Sequence, residues 1–129
     1  MPETPYSQSP LVKKLAIKPK ARITAINPIN GFIDLLGELP EGSSYEDNLE
    51  GDFDWMTVFV KSEAELDGLV ESIKKHLKPS GILWVAIPRA KNPSLNRNTL
   101  SASQARYGLE ITSNAVINDD WTAYRYKKV

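Results

Sequence analysis

Residues 53–87 read FDWMTVFVKSEAELDGLVESIKKHLKPSGILWVAI, and this stretch decides the fold. Residues 53–60 and 82–87 are almost continuously apolar, which is typical of strands covered on both faces of a sheet. Between them, Ser62 and Glu65 form a capping-box pattern that opens a helix with one apolar stripe. Because a strand, a helix and a second strand in one sheet connect with a right-handed crossover, the stretch predicts two parallel strands.

The flanking sequence continues the alternation of strands and helices. A short helix follows the pair Ser9-Pro10 and ends before Pro19, and Pro79 and Gly81 end the long central helix. The other predicted elements are a strand at 21–26, a brief helix at about 30–36, a short weak strand around 44–46, a weak helix at 99–107, and strands at 109–117 and 121–127 joined by a turn at 118–120. This order predicts an α/β fold, namely a three-layer Rossmann-like, mostly parallel sheet with a C-terminal antiparallel hairpin. We expect a flexible tail at 1–8 and one domain at 9–129.

Composition removes several classes of function. The chain has 129 residues with no Cys and one His, so disulfides, thiolate zinc sites and His-rich metal sites are excluded and we expect no metal. No stretch approaches the roughly 18 apolar residues of a membrane span, and the polar N-terminus carries no signal-peptide pattern, which predicts a cytoplasmic protein without a membrane partner. The net charge of zero argues against nucleic acid as a partner.

The charges are nevertheless segregated along the chain. Residues 23–60 contain eight acids and no Lys or Arg, whereas residues 9–22 contain five bases. Residues 88–129 contain seven bases against three acids. Since no acidic run is contiguous, we interpret these segments as solvated loops.

Two resemblances to known families follow from quoted segments. GDFDWMTVFV, the helix after it, LKPSGILWVAIP and the terminal hairpin resemble the C-terminal half of the S-adenosylmethionine-dependent methyltransferase fold. SPLVKKLAIKP, NPINGFIDLLGELPEG and LWVAIPRAK resemble a small bacterial family of unknown function with a truncated form of that Rossmann-like layout. The second resemblance implies a fold and no activity.

The loop that holds the cofactor in this fold departs from the usual pattern. Such loops carry two or three glycines, which let the backbone approach the ligand. Here residues 27–31 read NPING, with one Gly, and Pro28 lacks an amide. Glu46 and Asp47 stand at the spacing expected of the acid that binds ribose hydroxyls. We therefore expect no cofactor, with binding of S-adenosylmethionine as the alternative.

Candidate ligand-binding residues lie in loops at the carboxyl ends of the parallel strands, where α/β sheets bind ligands. These loops are 27–31, 61–62 and 88–98, and the last combines three cations with three amides suited to a phosphate or carboxylate. The predicted ligand-binding residues are Asn27, Asn30, Gly31, Arg89, Lys91 and Arg97. The alternative interpretation is a solvated loop, with the Asn residues capping turns.

Several aromatic and basic residues have structural interpretations. Trp55 and Trp84 fall in predicted buried strands and are expected in the core, whereas Trp121 opens the final strand. The terminal hairpin interleaves aromatic and basic residues, which are Tyr107, Tyr124, Tyr126, Arg125, Lys127 and Lys128. This pattern can bind single-stranded nucleic acid. We favour an edge strand that its lysines guard against aggregation.

The sequence lacks an activated nucleophile, a His base, a metal set and a glycine cradle. It therefore predicts a non-catalytic binding or regulatory module, with no catalytic residues, rather than an enzyme. The expected partner is a small anionic ligand or another protein. Two alternatives stay open: an enzyme that binds S-adenosylmethionine or a nucleotide-like anion at the carboxyl edge of the sheet, and an oligomeric interaction module using the 121–126 edge or the N-terminal helix.

Overall fold

Six strands form one mixed sheet in the order β2-β1-β3-β4-β6-β5. A computed structural model describes residues 10–37, 39–47, 50–90 and 95–128. The elements are α1 (Pro10–Lys14), β1 (Arg22–Ile26), α2 (Phe32–Leu36), β2 (Ser44–Tyr45), β3 (Phe53–Phe59), α3 (Glu63–His76), β4 (Leu77–Pro88), α4 (Arg97–Tyr107), β5 (Leu109–Val116) and β6 (Trp121–Lys128). Strands β2, β1, β3 and β4 are parallel, and β6 is antiparallel to both β4 and β5. The predicted α/β fold with a terminal antiparallel hairpin is confirmed.

Side chains that alternate along each strand build two cores, one on each face of the sheet. On one face, Trp55, Phe59 and Trp84 pack with residues of α1, α2 and the loop after α1. On the other face, Val58 and Val85 pack with the apolar stripe of α3 and with α4. The β3 and β4 runs are apolar throughout because both of their faces are covered.

A carbonyl in the loop after α1 links that loop to the two central strands. The indole Nε1 atoms of Trp55 and Trp84 each donate a hydrogen bond of 2.8 Å to the Leu15 oxygen. Both tryptophans are buried, with 1% and 2% of their surface exposed, which confirms their predicted place in the core. One buried acceptor thus satisfies two buried donors, as burial requires.

Two helices end earlier than predicted. Helix α1 ends at Lys14, and Ala16 adopts a left-handed φ of 60° before the chain turns into β1. Helix α3 ends at His76, so Pro79 and Gly81 do not terminate it but lie inside β4. They are tolerated there because β4 bulges: Phe53 pairs with Leu77, but Trp55 pairs with Ile82.

The terminal hairpin does not extend the sheet in chain order, because β6 and not β5 lies beside β4. Strand β6 lies between β4 and β5, so β5 forms the edge and the interpretation of β6 as a guarded edge strand is wrong. Tyr107 and Tyr126 are buried, with 5% and 1% exposed, and form no surface patch. The sequence pattern of a single strand does not indicate which strand it pairs with, so the order of β4, β6 and β5 could not be predicted from it.

Three further points concern the N-terminal residues, a membrane span and a metal site. The predicted tail at 1–8 and the capping residue Ser9 lie outside the described residues. None of the helices described is both long and apolar enough to span a membrane. Within the described ranges, no group of three or more His, Asp or Glu side chains is placed to hold a metal ion.

Candidate functional site

The carboxyl ends of β1, β3 and β4 share one edge of the sheet, because these three parallel strands are direct neighbours. Two pockets open at this edge. The first rim pocket, about 490 Å³, is lined by Asn27, Pro28, Ile29, Asn30, Phe59, Lys61, Glu65 and Trp121. The second rim pocket, about 610 Å³, is lined by Lys61, Pro88, Arg89, Ala90, Asp119, Asp120 and Trp121. Since Lys61 and Trp121 line both, the two pockets adjoin.

The loop after β1 forms one wall of the first rim pocket. Asn27 has a left-handed φ of 53°, a conformation that Asn tolerates, and Gly31 follows with a φ of 76° at the start of α2. A Cβ atom built on Gly31 would meet no protein atom within 4 Å. The backbone at Gly31 therefore faces open space, although its φ disfavours any larger residue.

The first turn of α3 forms the floor between two loops. Ser62 accepts a hydrogen bond of 3.1 Å from the Glu65 amide, which confirms the predicted helix start. Glu65 Oε1 accepts from the Lys61 amide at 2.8 Å, and Glu65 Oε2 accepts from Asn27 Nδ2 at 3.4 Å. One carboxylate thus ties the loop after β1 to the loop after β3 and leaves a negative charge in the pocket.

Aromatic rings form the apolar wall of the first rim pocket. The Phe59 ring contacts Phe32 and Trp121 edge to face, with centroid distances of 5.0 Å and 5.2 Å. Trp121 is half-buried, so one part of its indole packs in the core while another lines both pockets. This wall offers an apolar surface beside the charges of Lys61 and Glu65.

Arg89 ties the second rim pocket to the hairpin turn. Its amide donates to the Asp120 carbonyl at 2.8 Å, and its Nη1 lies 3.5 Å from the carbonyl oxygens of Asn118 and Asp119. The Asn118 side chain accepts from the amides of Asp120 and Trp121 at 2.8 Å and 2.9 Å, which fixes the turn. The backbone of this pocket is therefore well held, while the guanidinium makes only long contacts.

The remaining predicted site residues do not join this group. Lys91 lies outside the described residues. Arg97 is exposed in the first turn of α4 and lines neither rim pocket. Asn96, from the same loop, caps α4 by accepting from the Thr99 amide at 3.1 Å. The structure thus brings together Asn27 and Asn30 in the first rim pocket and Arg89 in the second, with Gly31 following Asn30 on the same loop.

Glu46, one of the two acids at the spacing for ribose, is engaged elsewhere. Its carboxylate forms an ion pair with the Arg22 guanidinium, which holds the pKa of Glu46 below its usual value. Arg22 also donates to the carbonyls of Glu50 and Asp52 and lies over the Phe53 ring at 4.3 Å. Arg22 therefore organises the acidic loop before β3, and Asp47, exposed beyond the end of β2, is left as the acid closest in sequence to the expected position.

The sequence places the loop 61–62 at the carboxyl edge, but the predicted ligand-binding residues do not include Lys61, Phe59, Glu65 or Trp121. Phe59 could have been found together with Lys61, because it ends the predicted parallel strand that this loop follows. The capping-box pattern predicts only a helix-capping role for Glu65, although a first-turn carboxylate beside a carboxyl-end loop also reaches the rim. Trp121 requires the knowledge that β6 pairs antiparallel with β4, which places the start of β6 beside Pro88.

No family model matches the chain, and no curated protein matches it. Solved structures do match. A SAM-dependent methyltransferase from Aquifex aeolicus aligns with a TM-score of 0.66 at 11% identity, covering 92% of this chain and 88% of that one. Ribosomal protein L11 methylase from Lactobacillus delbrueckii subsp. bulgaricus gives a TM-score of 0.61 at 13% identity, covering 92% and 74%. The DhpI–SAH complex gives 0.62 at 8% identity, covering 92% and 81%.

The class that these findings define is the methyltransferase-like Rossmann fold, as the sequence resemblance implied. They contradict the expectation of a non-catalytic module, of a chain that is not an enzyme and of a site without a cofactor, because the similar structures are SAM-dependent methyltransferases and one is a SAH complex. The alternative, an enzyme that binds S-adenosylmethionine, agrees better with them. At these identities the similarity shows the fold alone, so the activity has to be argued from the site.

Proposed function

We propose that this protein is a methyltransferase that binds S-adenosylmethionine in the first rim pocket and a methyl acceptor in the second. The observation that carries the proposal is the pair of adjoining pockets at the carboxyl edge, which share Lys61 and Trp121. A group-transfer enzyme needs two ligands in contact, and two pockets with a common wall provide that arrangement.

The chemistry of the first rim pocket fits the cofactor. S-adenosylmethionine has a zwitterionic amino-acid end, a sulfonium and an adenosine. Lys61 is placed to bind the carboxylate, Glu65 to bind the amino group, and the wall of Phe59 and Trp121 to contact the adenosine. The volume of about 490 Å³ lies within the range of roughly 300–1,000 Å³ found for small-molecule sites.

The loop after β1 supports binding in a way that differs from a glycine-rich loop. The open space at Gly31 lets a ligand approach the backbone, and the amides of Asn27 and Asn30 replace part of the missing backbone donors. Because the Glu46 carboxylate is bound to the Arg22 guanidinium, we assign contact with the ribose hydroxyls to Asp47.

The two rim pockets have separate roles in the proposed reaction. When bound, S-adenosylmethionine would supply an electrophilic methyl group on its sulfonium: the acceptor would form a bond to the methyl carbon while the carbon–sulfur bond breaks, and S-adenosylhomocysteine would leave as the neutral thioether. Trp121 lies at the boundary between the pockets and lines both of them. In the second pocket, Arg89 is placed to hold an anionic group of the acceptor, and the carboxylates of Asp119 and Asp120 are placed to take up the proton that the acceptor loses.

Ligand binding by the full chain tests the proposal. S-adenosylmethionine or S-adenosylhomocysteine at a hundred times its dissociation constant should stabilise the protein by about 2.7 kcal/mol, which a thermal-shift assay detects. Lys61→Gln should weaken binding by about tenfold or more, since it removes a charge-assisted contact. Lys75→Gln, which removes an exposed charge on α3, is the matched control. Absence of any shift with both ligands, or equal binding by both variants, would refute the assignment of the site.

Membership of the small bacterial family of unknown function is a further part of this proposal. It is supported by the segments around 9–19, 27–42 and 83–91 that resemble that family. Those segments contain the loops after β1 and β4, so the family would share the same two rim pockets.

A further inference from the structure

A third pocket lies at the opposite end of the sheet and is independent of the proposed methyl transfer. This basal pocket, about 470 Å³, is lined by Pro79, Ser80, Gly81, Ile82, Thr112, Ser113, Arg125, Tyr126, Lys127 and Lys128. It lies where β4 begins and β6 ends, whereas the rim pockets lie where β4 ends and β6 begins. No described residue that lines it is an acid.

Two breaks in strand register flank the basal pocket. On one side of β6, residues 78–81 of β4 stand opposite the single residue Asp54 of β3. On the other side, Thr112 is an extra residue of β5, because Ile111 pairs with Tyr126 and Ser113 pairs with Arg125. Bulges redirect side chains and are frequent beside functional sites.

A glycine lies in the bulge of β4, at a crowded position. Gly81 is buried, and a Cβ atom added there would lie 2.7 Å from Leu77 Cδ1 and 3.0 Å from the Lys78 carbonyl oxygen. A side chain at position 81 would require the Leu77 side chain to move and the Lys78 carbonyl to shift by a few tenths of an ångström. The concave surface is therefore built into the strand and does not result from a loose end.

Arg125 is the unsatisfied cation of this pocket. It is half-buried on the internal strand β6, and its guanidinium makes no ion pair or hydrogen bond with any residue that the structure describes. The other two cations are engaged: Lys127 pairs with Glu110 at 3.5 Å, and Lys128 donates to the carbonyls of Lys74 and Leu77 at 2.9 Å and 2.5 Å. Since β6 is not an edge, protection against aggregation does not explain Arg125.

Hydroxyl groups complete the donor set around Arg125. Ser113 is the direct partner of Arg125 on β5, and Ser80 lies in the β4 bulge that lines the same pocket. Neither hydroxyl has a partner among the described side chains, whereas Thr112 Oγ1 is bound to the Arg125 carbonyl at 3.3 Å. Arg125 supplies a guanidinium fork, and Ser80 and Ser113 line the same pocket from the two strands that neighbour β6, a donor set that suits a phosphate.

We propose that the basal pocket binds a phosphate group through Arg125, Ser80 and Ser113. The charge segregation along the sequence agrees with this, because Arg125 and Lys127 come from the basic segment 88–129. The phosphate belongs either to a free phosphate ester or to a nucleic-acid backbone, and the same contacts serve both.

Nuclear magnetic resonance on the full chain tests the site directly. Inorganic phosphate, titrated at constant ionic strength against chloride, should shift the amides of Ser80, Gly81 and Ser113 and the side-chain Nε of Arg125, and the shifts should saturate. Arg125→Gln should raise the dissociation constant at least about tenfold, and Arg125→Lys should restore part of the affinity. Lys13→Gln, which removes an exposed charge of α1 on the same face, is the control and should bind normally.

Two further titrations distinguish the sources of phosphate. Tighter binding of adenosine monophosphate than of phosphate, at the same amides, identifies a phosphate ester. Tighter binding of a single-stranded oligonucleotide, with affinity that falls steeply as salt rises, identifies a nucleic-acid backbone. Shifts that chloride reproduces, shifts confined to other amides, or equal affinity in the Arg125→Gln and Lys13→Gln proteins would overturn the proposal. These readouts do not depend on whether the rim pockets bind S-adenosylmethionine.

Discussion

Replacing the two tryptophans that share the Leu15 carbonyl should reveal a coupling between them. Trp55→Phe or Trp84→Phe alone removes one 2.8 Å hydrogen bond and leaves the other. Each hydrogen bond contributes about 1 kcal/mol net, and the smaller ring adds a packing loss of about 1–2 kcal/mol, so each single variant should lose about 2–3 kcal/mol.

The double variant should lose more than the sum of the single losses. With both indoles removed, the buried Leu15 oxygen has no donor among the described side chains, and an unpaired buried polar group costs about 1–3 kcal/mol. We therefore expect a coupling energy of about 1 kcal/mol or more between Trp55 and Trp84.

Urea unfolding followed by far-UV circular dichroism measures this cycle without using tryptophan fluorescence. All four proteins are measured in the same sucrose-containing buffer, which keeps the weakest variant folded. Trp121→Phe is the control, because Trp121 packs on Phe59 and its indole donates no hydrogen bond to a described residue. It should combine additively with Trp84→Phe. Losses for Trp55 and Trp84 that add within about 0.3–0.5 kcal/mol would refute the shared-acceptor argument.

Three other perturbations have expected signs. Partial burial raises the pKa of Asp54, but hydrogen bonds from the Arg22 amide and the Lys78 ammonium outweigh it and hold that pKa below its usual value. The stabilisation that the Asp54 carboxylate gives the fold is therefore complete above about pH 4 and is lost as the pH falls further. The urea midpoint of Asp54→Asn should therefore decline less in acid than that of the wild type. Parallel declines of the two midpoints would contradict this. Gly68→Ala, at an exposed site in α3 with no atom within 4 Å of the new Cβ, should raise stability by about 0.5–1 kcal/mol in thermal unfolding. Gly51→Ala should lower the stability by about 1 kcal/mol or more, because Gly51 has a φ of 77° and the new Cβ would lie 2.6 Å from Arg22 Nη1. This loss of stability should be smaller in an Arg22→Ala background. An unchanged loss would show that the contact with Arg22 is irrelevant.

Elements with a strong local pattern could be predicted from the sequence. The apolar runs of β3 and β4 and the cap of α3 at Ser62 carry their own periodicity, and the structure places all of them as expected. The short weak strand predicted around 44–46 is present as β2, at Ser44–Tyr45, where it pairs with β1.

Features that depend on pairing across the chain could not be predicted. Pro79 and Gly81 favour a break after α3, but the bulge accommodates them inside β4. The position of β6 between β4 and β5 decides that Tyr126 is buried and that Trp121 reaches the rim. The loops after β1, β3 and β4 share one edge of the sheet, as parallel neighbouring strands require, whereas the partners of individual side chains could not be predicted: Glu46 binds Arg22.

The position of β6 also constrains the order in which the molecule assembles during synthesis. Strand β5 leaves the ribosome before β6, yet its only strand partner among the described elements is β6. A nascent chain that stops before residue 121 can pair β1, β3 and β4, but it leaves β5 unpaired and lacks the indole common to both rim pockets. Competence to bind ligand at the rim should therefore arrive late, in one step, when the antiparallel strand inserts.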